Sequence, residues 1–233
     1  MIPSSLGLLR VVAAIPCFNT ERYIFDVVTR TKKQVDKVIV INDGSKDDTT
    51  RQAQNAGAIV FSHAFNQGYG EAINSCFKAA SRDNTDILII IDGDGQHNPD
   101  EITRLIAPII NDGADMVIGS RFLNGLNMPH YRRFGIGVIT WLWNFGSKTK
   151  VTDSQSGFRA YTKEAYEKLT GSETGMNASI ETLERARRAK LKIREVPITC
   201  TYEHSFISHG AIKHGLGVAL AVVKIRTSRI HAG

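Results

Sequence analysis

Asp92 and Asp94 stand one residue apart at the end of an unbroken apolar run, Ile87-Leu88-Ile89-Ile90-Ile91. In extended backbone, residues i and i+2 project to the same side. The two carboxylates therefore address one point just past the carboxyl end of a strand. Like charges repel there unless a cation or protons separate them. All-oxygen ligands suit Mg²⁺ or Mn²⁺, hard ions that commonly bridge protein carboxylates and substrate phosphates. Gly93 and Gly95 would let a bulky ligand approach the main chain, and Gln96 and His97 follow as further ligands or substrate contacts. The same residues also make an ordinary polar turn after a core strand, since Asp and Gly are common turn formers. Taken alone, the stretch leaves the two readings balanced.

The elements around it tip that balance. An apolar run without alternation reads as a strand buried on both faces. Val11 to Ile15 is a first strand closing at Pro16-Cys17-Phe18-Asn19-Thr20-Glu21, followed by a helix from about Arg22 to Lys32. Lys37 to Ile41 is a second strand, ended by Asn42-Asp43-Gly44-Ser45. Asp47 or Asp48 caps the next helix, which ends near Gly57. Ala58 to Phe61 is a third strand, and Asn66-Gln67-Gly68-Tyr69-Gly70 opens a helix through about Ala80. Asn98-Pro99-Asp100-Glu101 starts another helix, with proline and acids in its first turn. Asp115 to Gly119 is a fifth strand, followed by Ser120 and Arg121. This alternation predicts an α/β fold with a mostly parallel sheet, whose ligands bind outside the carboxyl ends of the strands. Polar clusters fall at four such ends, a coincidence far more specific than any one motif.

Composition bounds the partners. The 233 residues suit one domain with a full-sized core, and 42% apolar with 22% charged residues is ordinary for a folded soluble chain. A net charge of +6 favours anionic partners. Cys17, Cys76 and Cys200 are odd in number and lack metal-ligand spacing, which suggests a reducing, cytosolic setting. No apolar run approaches the roughly 20 residues needed to span a bilayer. Leu6 to Ile15 has the look of a weak signal peptide, but Arg10 interrupts it and it runs straight into the first motif. Gly68-Tyr69-Gly70 lacks the third glycine of a dinucleotide fingerprint and follows the third strand, and no glycine-lysine-serine/threonine loop occurs. Hydride transfer and P-loop hydrolysis are poorly supported.

Beyond Arg121 the pattern is less regular. Asn124 to Arg133 reads as a loop. Phe134 to Phe145, with Trp141 and Trp143, reads either as a core helix or as a membrane-interface segment. Asp153-Ser154-Gln155-Ser156-Gly157-Phe158-Arg159 is a second dense polar cluster. Helices are expected over about Thr162 to Leu169 and Asn177 to Ala189, and a short strand over Glu195 to Ile198. The basic run Arg185 to Arg194 reads by default as a solvated face. The histidines between His204 and His214 have no zinc spacing, and Leu216 to Ile230 reads as an amphipathic helix.

Together these motifs resemble the GT-A fold, inverting family 2 glycosyltransferases, and within them the dolichyl-phosphate mannose synthase-like branch. The resemblance runs from about Val11 to Tyr202. It rests on Pro16-x-Phe18-Asn19, Asn42-Asp43-Gly44-Ser45, Asn66-x-Gly68-x-Gly70, Asp92-x-Asp94-x-Gln96-His97-x-Pro99, Gly119-Ser120-Arg121, Ser156-Gly157-Phe158-Arg159 and Glu195-Val196-Pro197-Ile198. It implies a GT-A, Rossmann-like catalytic domain over residues 1–203, with 204–233 as a C-terminal loop and amphipathic helix associated with membrane. It implies that Pro16, Phe18, Asn19, Asp43, Gly68, Asp92 and Gly93 hold a nucleotide-sugar donor. Asp92, Asp94 and Gln96 would bind Mg²⁺ or Mn²⁺, and Arg121 and Arg159 would face an acceptor phosphate. Relatives carry glutamate directly after the asparagine of the first motif. Thr20 stands there in this chain, leaving Glu21 as the substitute ribose contact.

Chemistry supports a phosphate acceptor independently. A sugar hydroxyl needs a base as it attacks, whereas a phosphomonoester, with a second pKa near ~6, is largely ionised at neutral pH. It needs guanidinium groups to position it, and Arg121, Arg132, Arg133 and Arg159 follow Gly119. Asp153 is an orienting group or, for a hydroxyl acceptor, a candidate base. The expected reaction moves a hexose from a GDP- or UDP-linked sugar to a polyprenyl or dolichyl phosphate, at the cytosolic membrane face on which the protein would lie peripherally. The alternative is a glycan or other hydroxyl acceptor. A nucleic-acid partner would explain the charge but not the polar clusters at strand ends.

Overall fold

The computed structural model describes residues 9–124, 128–147, 149–171 and 178–202. The described residues build one seven-stranded sheet. Its strands are β1 (Val11–Cys17), β2 (Lys37–Asn42), β3 (Ile59–Ser62), β4 (Ile87–Ile90), β5 (Met116–Ser120), β6 (Arg159–Thr162) and β7 (Ile193–Pro197), in the order β3-β2-β1-β4-β6-β5-β7. The helices are α1 (Ile24–Thr31), α2 (Thr49–Asn55), α3 (Tyr69–Arg82), α4 (Ile102–Asp112), α5 (His130–Asn144), α6 (Lys163–Leu169) and α7 (Ala178–Arg188).

The unalternating strands are explained by two cores. Val12, Ala14, Ile39, Ile41, Leu88 and Ile90 join α3, α5, α6 and α7 on one face. Val11, Ala13, Ile15, Val38, Val40, Ile87 and Ile89 join α1 and α4 on the other. Both faces being dry, every residue of β1 and β4 is buried. β1 pairs in parallel with β2 on one edge and β4 on the other. The strand order reverses at that point, which opens a crevice beyond the carboxyl ends of β1 and β4.

β6 differs from the expected pattern. It lies antiparallel between β4 and β5, pairing Arg159 with Ile90 and with Ile118. Arg-Ala-Tyr-Thr is too short and mixed to give a strand signal of its own despite Tyr161 and Thr162. Partners on both sides, not propensity, make it extended. Its position matters because it carries the Asp153–Phe158 cluster onto the end of β4.

Several local expectations shift. Asp48 makes no side-chain cap on α2; Asp47 accepts the Thr49 amide instead, at 3.1 Å. Asn98-Pro99 opens a 3-10 turn, Pro99–Glu101, with Asn98 accepting the Asp100 amide before α4 begins. The segment 134–145 divides between its two readings: α5 buries Ile139, Thr140 and Trp143 but leaves Phe134 75% and Trp141 62% exposed. The basic face of α7 is partly neutralised by Glu184, which accepts from Arg187 and Arg188. Among the described residues no helix is long and apolar enough to cross a membrane. The expected start at Asn177 of the helix that forms α7, the histidine-bearing loop and the segment 216–230 lie outside the described residues.

Candidate active site

Asp92 and Asp94 emerge from β4 into the crevice. The Tyr69 hydroxyl, at the first turn of α3, donates to Asp92 Oδ1 at 3.0 Å, and His97 Nε2 lies 3.6 Å from Oδ2. Burial opposes ionisation of Asp92. His97, Tyr69 and the Arg121 charge outweigh it and hold the carboxyl below the usual range. Asp94 goes the other way, pushed up by burial and by the neighbouring Asp92 charge. Its two oxygens accept the Gln96 backbone amide at 3.0 Å and the Gln96 side-chain amide at 2.9 Å. Two carboxylates whose charges oppose each other in a partly dry crevice fit a divalent cation. Among the described residues no group of three or more His, Cys, Asp or Glu could hold a metal. The set is thus too small for a closed protein cage and suits a hard ion completed by phosphate and water oxygens.

Gly157 explains how close the polar cluster comes. A Cβ built there would fall 2.1 Å from Asp92 Oδ2. Gly157→Ala should therefore displace the Asp92 carboxylate and, if Asp92 holds a cation with a nucleotide, weaken that metal-dependent binding about 10–100-fold. Calorimetric titration of nucleotide with and without Mn²⁺ checks this, and unchanged metal dependence would remove Gly157 from the site.

Most residues expected to hold a nucleotide cluster at the ends of β1 and β2. Pro16 is buried within β1, and its carbonyl accepts the Gly93 amide at 3.2 Å. Gly93 meets the chain itself rather than open space: an added Cβ would lie 2.9 Å from Cys17 Cβ and 3.1 Å from Ile24. Phe18 is 44% exposed beside the crevice. Asn19, at φ +52, locks the first loop to the second, its side chain accepting the Lys46 amide and its amide donating to Ser45 Oγ, both at 2.9 Å. Glu21 points at the start of α2, where its carboxylate accepts the Asp48 amide at 3.0 Å. Asp43 is buried and accepts the amides of Gln67 at 2.9 Å and Gly68 at 2.8 Å.

Of the residues expected to face an acceptor, Arg121 forms a two-pronged ion pair with the fully buried Asp153: Nε to Oδ2 at 2.7 Å and Nη2 to Oδ1 at 2.8 Å. Burial works against the Arg121 charge, but Asp153 overcomes it and raises the guanidinium pKa. Glu195 on β7 anchors the Asp153 loop, accepting the amides of Thr152 at 2.7 Å and Asp153 at 3.0 Å. Arg159 is 3% exposed and donates to the carbonyls of Ser156, Ser154 and Ser179. Its charge is spent on organising the cluster, so it stands apart from Arg121. Arg132 stacks over the Tyr202 ring, 5.4 Å from its centroid, and Tyr202 accepts from Arg121 Nη1 at 3.4 Å.

Sequence reasoning missed Tyr69, the role of Gly157 and the anchor Glu195. All three sit inside motifs of the sequence, at positions whose contacts only the meeting of distant elements creates.

A family model described as glycosyl transferase family 2 matches residues 12–170. An uncharacterised protein of Methanocaldococcus jannaschii is 37% identical over 86% of this chain and 85% of its own length. The UDP-N-acetylglucosamine–dolichyl-phosphate N-acetylglucosaminyltransferase of Methanococcus voltae is 33% identical over 84% of this chain and 87% of its own. The fold matches glucosyl-3-phosphoglycerate synthase from Mycobacterium tuberculosis in complex with Mn²⁺, UDP and phosphoglyceric acid. The TM-score is 0.77, with 22% identity, over 95% of this chain and 80% of the other.

Proposed function

The chain belongs to glycosyl transferase family 2, and from that premise we propose that it transfers a hexose from a nucleotide sugar to a polyprenyl or dolichyl phosphate, inverting the anomeric carbon in one displacement. The observation that carries the acceptor reading is the Arg121–Asp153 pair. A hydroxyl acceptor needs a base, and the candidate base Asp153 is fully buried with both oxygens held by Arg121. A phosphate acceptor arrives ionised and needs a positioned guanidinium instead. The kinship to a dolichyl-phosphate transferase supports the same choice.

In this reading the ends of β1 and β2, with Pro16, Phe18, Asn19, Asp43 and Gly68, take the nucleotide. Asp92, Asp94 and Gln96 would hold Mg²⁺ or Mn²⁺, which when bound neutralises charge gathering on the nucleoside diphosphate leaving group. Tyr69 and Gly157 keep Asp92 aimed at the crevice. Arg121, held flat by Asp153, orients the acceptor phosphate, and Arg159 acts indirectly by fixing the loop that carries Asp153. An open groove of about 570 Å³ lined by Phe122, Arg133, Phe134, Val138 and Trp141 begins one residue from Arg121. Its apolar floor and basic rim suit peripheral contact with an anionic membrane surface.

The test is a panel of GDP- and UDP-linked hexoses offered with a short polyprenyl phosphate in anionic liposomes. Lipid-linked product and co-sedimentation with the liposomes are expected. Transfer only to hydroxyl acceptors would overturn the phosphate reading.

A further inference from the structure

We infer that His63 is a positioning residue for the nucleotide end of the site, acting through Asp43; the inference rests on the donor reading above. His63 directly follows β3. Its Nδ1 lies 2.7 Å from Asp43 Oδ1, and its Nε2 lies 2.9 Å from Ser75 Oγ on α3. Asp43 already accepts two backbone amides, and a carboxylate has only acceptor sites to offer. The imidazole must therefore donate from Nδ1, which in the neutral ring leaves Nε2 to accept from the Ser75 hydroxyl. Both ring nitrogens are engaged, and the side chain is only 14% exposed.

The consequence lies in the loop that Asp43 grips. Its Oδ1 takes both His63 and the Gln67 amide, while Oδ2 takes the Gly68 amide. The ring thus fixes the rotation of a carboxylate that fixes two main-chain amides. The loop cannot follow a displaced carboxylate inward, because at Gly44 (φ +72) an added Cβ would already lie 2.5 Å from the Phe65 carbonyl carbon. His63 therefore ties the end of β3 and the body of α3 to the nucleotide end of the site. A merely space-filling histidine would do none of this.

The experiment uses the full chain carrying His63→Ala, His63→Asn or Ser75→Ala. Amide exchange of Gln67 and Gly68 is read by NMR in the ligand-free protein. Affinity for UDP and GDP is read by calorimetry, and kcat at saturating donor. His63→Ala should speed exchange at Gln67 and Gly68 about tenfold or more and weaken nucleotide binding about 10–100-fold, with kcat changed by less than about threefold. His63→Asn, whose side-chain amide can replace Nδ1–H, should restore most of the affinity. Unchanged exchange, or loosened amides with unchanged nucleotide affinity, overturns the inference. If His63→Ala does not fold, Ser75→Ala decides, because it releases the far side of the ring. Faster exchange with weaker binding then supports the inference, and no change sinks it. A wild-type protein that binds neither nucleotide overturns the donor reading instead, and the wild-type control separates the two failures.

Discussion

Asp94→Asn should cut transfer at least about 10³-fold, because a metal's electrostatic help to a leaving group is worth several kcal/mol and each factor of ten costs about 1.4 kcal/mol. The fold should survive. In the metal-free protein, burial and the Asp92 charge already disfavour the Asp94 carboxylate. The variant removes one of two opposed charges and is expected to melt no lower than wild type. Loss of activity without loss of stability is the signature that distinguishes a cation-holding carboxylate from a structural turn. Lipid-linked product with Mn²⁺ and donor saturating, beside a thermal melt in chelator, provides the measurement. Full activity would take Asp94 out of the site.

Arg121→Ala should act on stability and turnover together. It leaves Asp153 fully buried without its guanidinium, and breaking a buried pair on one side costs about 3–5 kcal/mol. Turnover on a polyprenyl phosphate should fall by about 10²-fold or more, as when one charge-stabilising donor is removed from a site. The pair variant Arg121→Met with Asp153→Leu separates the effects. It removes both charges and should recover much of the stability, as seen when buried ion pairs are replaced by apolar residues, yet recover none of the turnover. Denaturant unfolding and initial rates on wild type, Arg121→Met, Asp153→Leu and the pair variant close the cycle. If Asp153→Asn is inactive while Arg121→Ala keeps near-normal transfer and donor affinity, Asp153 is a base after all, and the acceptor is a hydroxyl.

In the half of the chain up to Ser120 the strands were legible. Unbroken Ile/Val runs ending in Asp, Asn and Gly have few folded solutions except parallel strands with polar ends. The strands found there match the expected ones to within a residue or so, apart from where β1 closes. Local chemistry named Asp92 and Asp94 as a carboxylate pair; the strand stops at Ile90 and a turn at Gly93 and Asp94, not an extended residue, sets their relation. Local chemistry could not show which side chains those carboxylates would meet. β6 carries only a short, mixed propensity signal and exists because β4 and β5 offer it edges on both sides. Its insertion brings Gly157 against Asp92 and turns Arg159 inward to the carbonyls of its own loop. The pairing of Arg121 with Asp153 spans 32 residues, and that of His63 with Asp43 spans 20. Motif spacing names such residues one at a time. The choice between a free base and a guanidinium's partner is made only when packing removes water and leaves each buried charge to find its counterpart.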